Sequence, residues 1–209
     1  VKGVKIDFMD RQDQWMVNYY ERIVKEAAKH HILVDFHGAY KPSGLEIRYP
    51  NLLSYEGVRG LENNDAVDPE NSIYQPFIRN AVGPMDFTPG VMSSAQPEHV
   101  KYTDPVPMTA GTRSYHMALF VAFESGIQML ADSPTRYYEN PECTEFITSV
   151  PVTWDETRVI DAKVGSYYVV AKRKGTKWYV AAITGKDSQK LTLPFSFLGA
   201  GKHRITWFQ

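Results

Sequence analysis

Two hydrophobic periodicities succeed one another along this sequence, and the point where one gives way to the other constrains the fold more than any single motif. From Val1 to about Pro134, short apolar runs alternate with helical repeats; after about Pro151 the runs are short, β-rich and separated by glycine-bearing turns. The first pattern predicts βα units around a parallel sheet and the second an antiparallel meander. The expected class is α/β over residues 1–150, followed by a small antiparallel β-domain over 151–209.

The first strand is expected at 4–8, and Asp10 is expected to cap a helix over 11–29 whose apolar and aromatic positions, Trp15, Met16, Tyr19, Ile23, Val24 and Ala27, recur at helical spacing. Residues 31–38 form a largely apolar run ending in polar residues, as a buried parallel strand does. A short helix and a third strand end fit within 51–64, and Asp68 can cap a helix running through Ile73, Phe77, Ile78 and Val82. Residues 85–90 read as a strand end breaking into a loop, and the loop from 91 to about 111 is long enough to suggest service to a site. A helix at 115–128, a last strand at 129–134 and a helix at 135–148 complete the alternation. Strands are then expected at 166–171, 177–183, 190–193 and 204–208.

Charge excludes one class of partner. Lys and Arg number 23 against 24 Asp and Glu, a net charge of −1, which gathers neither nucleic acid nor an anionic membrane surface. No apolar run approaches the ~20 residues of a bilayer span, and no signal peptide opens the chain. The sequence starts without methionine and almost inside a strand, which suggests a truncated product. Cys143, the single cysteine, cannot form an internal disulfide; it reads as a small buried apolar residue and leaves the redox compartment undecided.

If the βα units belong to a (β/α)8 barrel, the chemistry sits at the C-terminal strand ends, which makes Asp7, Asp35, His37, Glu62, Asp86 and Asp132 the suspects. Glycosidic hydrolysis generally needs two carboxyl groups, and Asp7 with Glu62 could supply them. Lys5 lies two residues before Asp7, on the same strand face, where a cation would keep the carboxylate ionised and could donate to sugar hydroxyls. The same two residues equally read as a structural ion pair. His37 reads as a core histidine or a substrate contact. Glu56 and Glu62, six apart across a glycine-bearing turn, would raise one another's pKa, share a hard cation such as Ca²⁺, or simply be solvated. The basic runs at 172–174 and 25–29 read as solvent faces.

The stretches Lys2-Gly3-Val4-Lys5-Ile6-Asp7-Phe8-Met9-Asp10, Asp35-Phe36-His37-Gly38, Tyr49-Pro50-Asn51-Leu52, Glu56-Gly57-Val58-Arg59-Gly60-Leu61-Glu62 and Gly83-Pro84-Met85-Asp86-Phe87-Thr88-Pro89-Gly90, in this order, resemble glycoside hydrolase family 97. The resemblance implies an exo-acting enzyme on α-linked sugars, with an N-terminal β-sandwich, a (β/α)8 TIM-type barrel, a C-terminal β-domain and an active-site calcium ion. This chain would carry the C-terminal half of the barrel, about strands 4 to 8, without the sandwich. Glu62 is then the proton donor, Glu56 and Glu62 are calcium ligands, and His37 lines the sugar subsite. Inverting α-glucosidase members carry a glutamate base where this sequence has Gly38, whereas Asp7 matches the nucleophile of retaining members. The resemblance thus implies a retaining α-galactosidase, with β-L-arabinopyranosides as related substrates, a carboxylate separation of ~5 to 5.5 Å, and a bacterial periplasmic location. Two alternatives are an inverting α-glucosidase using Asp35 as base and a non-catalytic barrel remnant.

Overall fold

The structure is a computed structural model, and it describes residues 1–64, 67–101 and 108–208. Residues 102–107 of the predicted long loop lie outside the described residues. Strand β1 (Gly3–Ile6), helix α1 (Gln14–Lys29), strand β2 (Leu33–Phe36), a single helical turn α2 (Leu45–Arg48) and strand β3 (Leu52–Tyr55) form a βαβ alternation, with the short helix placed before β3 and not within 51–64 as expected. The three strands pair in parallel in the order β1-β2-β3.

Register divides this sheet into two chemically different faces. Lys5 pairs with Asp35 and Asp35 with Ser54, while Ile6 pairs with Phe36 and Phe36 with Tyr55. Side chains alternate along a strand, so Phe36 and Tyr55 share the face that α1 covers. Met16, Tyr20 and Val24, spaced by one helical turn, are the buried positions of α1. The Tyr20 ring meets Phe36 edge-on at 4.3 Å. The opposite face carries Lys5, Asp35 and Ser54, and it points polar groups toward the strand ends.

Helix α1 begins three residues later than expected, because Asp13, not Asp10, accepts from the Met16 amide at 3.2 Å. Asp10 instead sits in a left-handed turn at φ +45 and donates its N–H to the Gly38 carbonyl. The expected helix from Asp68 divides into α3 (Pro69–Ser72), α4 (Gln75–Ile78) and a 3-10 turn (Asn80–Val82), since Pro76 interrupts the amide ladder; Asp68 caps its start as predicted. Two-residue strands β4 (Ser94–Ala95) and β5 (Thr109–Ala110) bracket the long loop. Helix α5 (Arg113–Ala122) ends earlier than expected, and the helix expected at 135–148 is split into α6 (Pro134–Glu139) and α7 (Pro141–Ser149), with a proline opening each. Residues 85–90 and 129–133, where strands were expected, form no strand, and Thr88 and Gly90 turn the first of these segments through positive φ.

The C-terminal antiparallel sheet has the order β6-β7-β8, with β6 (Glu156–Lys163), β7 (Tyr167–Lys174) and β8 (Lys177–Thr184). β7 and β8 match expectation, and β6 was not anticipated. β6 is an edge strand of mostly exposed residues and carries almost no apolar signal. Residues 190–193 and 204–208, expected as strands, have no regular structure. Lys172 corrects another expectation: it is fully buried, its ammonium 2.6 Å from Glu124 Oε1 and lying over the Trp154 ring, whereas Lys174 is exposed.

Candidate active site

One backbone device sets out the candidate residues. The amide of His37 donates to Ile6 O at 2.8 Å, that of Glu56 to Phe36 O at 2.7 Å, and that of Asp86 to Tyr55 O at 2.9 Å. His37 and Glu56 are each one step beyond the end of β2 and β3, and Asp86 follows the apolar Met85 in an irregular segment, so three polar residues are delivered to a common rim. Asp7, the residue after β1, occupies the first position of that series.

Asp7 is held as an anion. Lys5 Nζ lies 3.0 Å from Asp7 Oδ2, and the Phe8 amide donates to Asp7 Oδ1 at 2.7 Å. Partial burial raises its pKa, but the Phe8 amide and the Lys5 ammonium outweigh this and keep it below the usual carboxylate range. Phe8 adopts a left-handed φ of +56 and projects into solvent.

His37 stands behind this rim, fully buried among three carboxylates. Its Nε2 is 2.8 Å from Asp86 Oδ2 and 3.4 Å from Asp35 Oδ2, and its Nδ1 is 3.7 Å from Glu56 Oε1. Burial opposes the imidazolium, yet the bonds and charges of Asp35 and Asp86 prevail and push its pKa up to about 10. Asp86 is fixed by the amides of Thr88 and Met129, which donate to its Oδ1 at 3.2 and 2.9 Å. Burial raises the Asp86 pKa, and His37 with these donors brings it below the usual value. Asp35 takes the reverse course: burial and the neighbouring Asp86 push it up to about 6, and neither of its oxygens has a full hydrogen bond among the described residues.

Glu56 and Glu62 come together as their spacing suggested. Glu56 Oε2 accepts from the Gly38 amide at 2.7 Å. Burial and the Glu62 side chain push the Glu56 pKa up to about 7, against that amide. Glu62 remains exposed, its amide bonded to Thr88 Oγ1 at 3.1 Å. His37, Glu56 and Glu62 each offer one potential metal-ligand atom within 4.8 Å of the others, as do Asp35, His37 and Asp86. Lys5 and Asp7 thus form one pair, and His37 is shared by two clusters, one with Glu56 and Glu62 and one with Asp35 and Asp86. Asp132 does not join them; its Oδ2 accepts from the amides of Met92 and Ser93. A cavity of about 300 Å³, bordered by Met92, Ser94, Arg113 and Arg136, is lined by other residues than these carboxylates.

Sequence reading missed Arg79. Its guanidinium is buried and, among the described residues, bonds only to backbone carbonyls of the loops carrying Glu56 and Asp86. The only sequence signal was an arginine in an apolar turn shortly before Gly83-Pro84.

The family model described as glycoside hydrolase 97 matches residues 1–58, and that described as glycosyl-hydrolase 97 C-terminal, oligomerisation, matches residues 153–209. The chain belongs to glycoside hydrolase family 97. Within the family, it is 43% identical over 214 residues to a retaining alpha-galactosidase of Bacteroides thetaiotaomicron, a match covering 100% of this chain and 32% of that protein. It is 35% identical to a probable retaining alpha-galactosidase of Streptomyces bingchenggensis, over 99% of this chain and 30% of that one. The chain thus spans about a third of the length of these relatives. Among solved structures, a beta-arabinopyranosidase matches with a TM-score of 0.75 and 33% identity, over 88% of this chain and 30% of that one. A family 97 enzyme from Pseudoalteromonas sp. strain K8, in complex with panose, matches with a TM-score of 0.77 and 32% identity, over 90% of this chain and 30% of that one.

Proposed function

We propose that this chain supplies the nucleophile and the acid/base of a retaining α-galactosidase, as the C-terminal half of a (β/α)8 barrel followed by a β-domain. The observation that carries the reading is the environment of Asp7: a strand-end carboxylate kept ionised by Lys5 at 3.0 Å and by the Phe8 amide. Such a group can attack an anomeric carbon, which a carboxyl group needing deprotonation first cannot do as readily. In the first step Asp7 forms the glycosyl ester while Glu62, exposed at the rim, gives its proton to the departing glycosidic oxygen. In the second, Glu62 takes a proton from water as that water attacks the same carbon, releasing Asp7 and a sugar of unchanged anomeric configuration. Lys5 can donate to a sugar hydroxyl from beside Asp7, whereas His37, expected to line the sugar subsite, is fully buried behind the rim and bonded to Asp86.

The donor set also suits a hard cation. Glu56 and Glu62 repel one another at close range, and a calcium ion there would relieve that repulsion and offer Lewis-acid stabilisation to a sugar oxygen. Calcium takes six to eight oxygen ligands, so these two carboxylates account for part of its shell.

The inverting alternative needs a second base. Gly38 has φ +53, and a Cβ there would fall 2.9 Å from the Phe8 nitrogen, so a glutamate at this position would displace the backbone beside Asp7. Asp35, the substitute base, is buried at 4% exposure behind His37, a poor position from which to reach a water at the rim. The test is hydrolysis of p-nitrophenyl α-galactoside by the full-length enzyme containing this chain, followed by NMR before mutarotation, with Asp7→Ala alongside. Initial α-galactose and a dead Asp7→Ala variant are expected. Initial β-galactose would remove Asp7 from the role of nucleophile, and absence of turnover in the unaltered enzyme would favour the remnant reading.

A further inference from the structure

Arg79 makes an unusual set of contacts for a buried cation. Nε donates to Gly57 O at 3.1 Å, Nη1 to Gly83 O at 3.1 Å, and Nη2 to Tyr55 O and Glu56 O at 3.2 Å and to Pro84 O at 2.8 Å. Three of these carbonyls belong to the end of β3 and two to the turn that opens the Asp86 segment. Glu56 rides on the first group. Glu62 rides on the continuation of the second, because Leu61 N donates to Phe87 O at 2.9 Å and Glu62 N to Thr88 Oγ1 at 3.1 Å. Besides the chain through 57–61, the separation of the two glutamates is therefore set by the separation of two backbone segments, and among the described residues the guanidinium and the bond from Asp86 N to Tyr55 O span that gap.

We infer that Arg79 is a positioning residue for the acid/base apparatus, a planar clamp that fixes the distance between Glu56 and Glu62 without touching substrate. This rests on the retaining-glycosidase reading above. A guanidinium presents its N–H donors in one rigid plane, and here Nε and Nη1 each reach one carbonyl while the two hydrogens of Nη2 are shared among three, so both segments are held at once; a lysine ammonium is a point with three donors and cannot span both. Arg79→Lys keeps the charge and loses the clamp.

General acid help matters most when the leaving group is poor. In the full-length enzyme, Arg79→Lys is expected to lower kcat/KM on methyl α-galactoside ~100-fold, the penalty of a small misplacement, and to lower it far less on α-galactosyl fluoride, whose departure needs little protonation. Equal losses on the two substrates, or no loss on either, overturn the inference. Should the unaltered enzyme turn over neither substrate, the functional reading fails, and amide hydrogen exchange tests the clamp by itself. Exchange at Glu56, Leu61 and Glu62 is expected to quicken in Arg79→Lys while that of α1 stays unchanged. Unchanged exchange at the three amides, or a rise shared equally by α1, would make Arg79 a general stability residue and overturn the positioning role.

Discussion

Gly38 brings the two halves of the candidate site into register. Its amide donates to Glu56 Oε2 at 2.7 Å, and its carbonyl accepts from the Asp10 amide at 2.7 Å. One residue thus fastens the loop bearing Asp7 to the loop bearing Glu56. Its φ of +53 is a region that residues with a Cβ rarely adopt, and the atoms that Cβ would meet are the backbone N and Cα of Phe8, at 2.9 and 3.0 Å, which cannot rotate aside. Gly38→Ala is expected to cost ~1–3 kcal/mol of stability, measured by urea unfolding, and to reduce kcat/KM ~100-fold by moving Asp7. Wild-type kcat/KM in that variant would mean that the apposition of Phe8 and Gly38 does not place Asp7. The Lys5–Asp7 pair, by contrast, is about one-third exposed, so its value lies in the ionisation of Asp7 more than in folding energy.

At the scale of elements, helix α5 carries a titration with a predictable sign. Thr112 caps it, accepting from the Tyr115 amide at 3.1 Å, and the helix then buries His116 completely. Neither ring nitrogen has a hydrogen-bond partner among the described residues, and burial pushes the imidazole pKa down from 6.5 to about 3. The unfolded chain takes up a proton as pH falls below 6.5, whereas the folded chain does so only near 3, so stability is lost on acidification through that window. The loss attributable to this one group approaches ~1.4 kcal/mol per pH unit. His116→Gln is expected to show a pH-independent offset and a flatter fall of the urea midpoint between pH ~6.5 and ~4.5; parallel slopes in the two proteins would show that His116 does not titrate on unfolding.

The elements that sequence periodicity located well are those with one apolar face. α1 repeats its burial at helical spacing and β2 and β3 are buried almost throughout, and the polar residues ending the apolar runs pointed to Asp7, His37 and Asp86. What escaped was decided by contacts distant in sequence. Asp10 and Asp13 are equally good capping residues, and only the bond from Asp10 to Gly38 removes the first from the helix. β6 is an exposed edge whose partner defines it, and Arg79 acts on carbonyls, which carry no side-chain signature. The short runs at 190–193 and 204–208 had strand-like composition, but neither enters the C-terminal sheet.

For the molecule as a whole, the question is how the C-terminal sheet is joined to the part carrying the carboxylates. Val170, Ala181 and Ile183 of β7 and β8 belong to one buried cluster with Leu61, Met85, Phe87 and Phe123, so the sheet packs against the loops that hold Glu62 and Asp86. Lys172 adds a polar contact at this junction, reaching Glu124 Oε1 at 2.6 Å and Phe123 O at 3.3 Å. The two partners are unequally exposed: Lys172 is fully buried, while the Glu124 side chain is 46% accessible. Burial lowers the Lys172 pKa, and Glu124 works against that shift. Removing Lys172 therefore leaves a carboxylate that water can solvate, but removing the charge of Glu124 leaves an ammonium inside the protein with only a carbonyl and the Trp154 ring. Lys172→Met, which fills the same space with apolar atoms, is expected to stay within ~1 kcal/mol of wild type, and Glu124→Gln to lose ~3 kcal/mol or more. Urea unfolding followed by tryptophan fluorescence measures both, and combining them should recover most of the Glu124→Gln loss, because the stranded charge is gone. A Lys172→Met variant as unstable as Glu124→Gln would instead mean that the ion pair itself holds the sheet to the carboxylate-bearing loops.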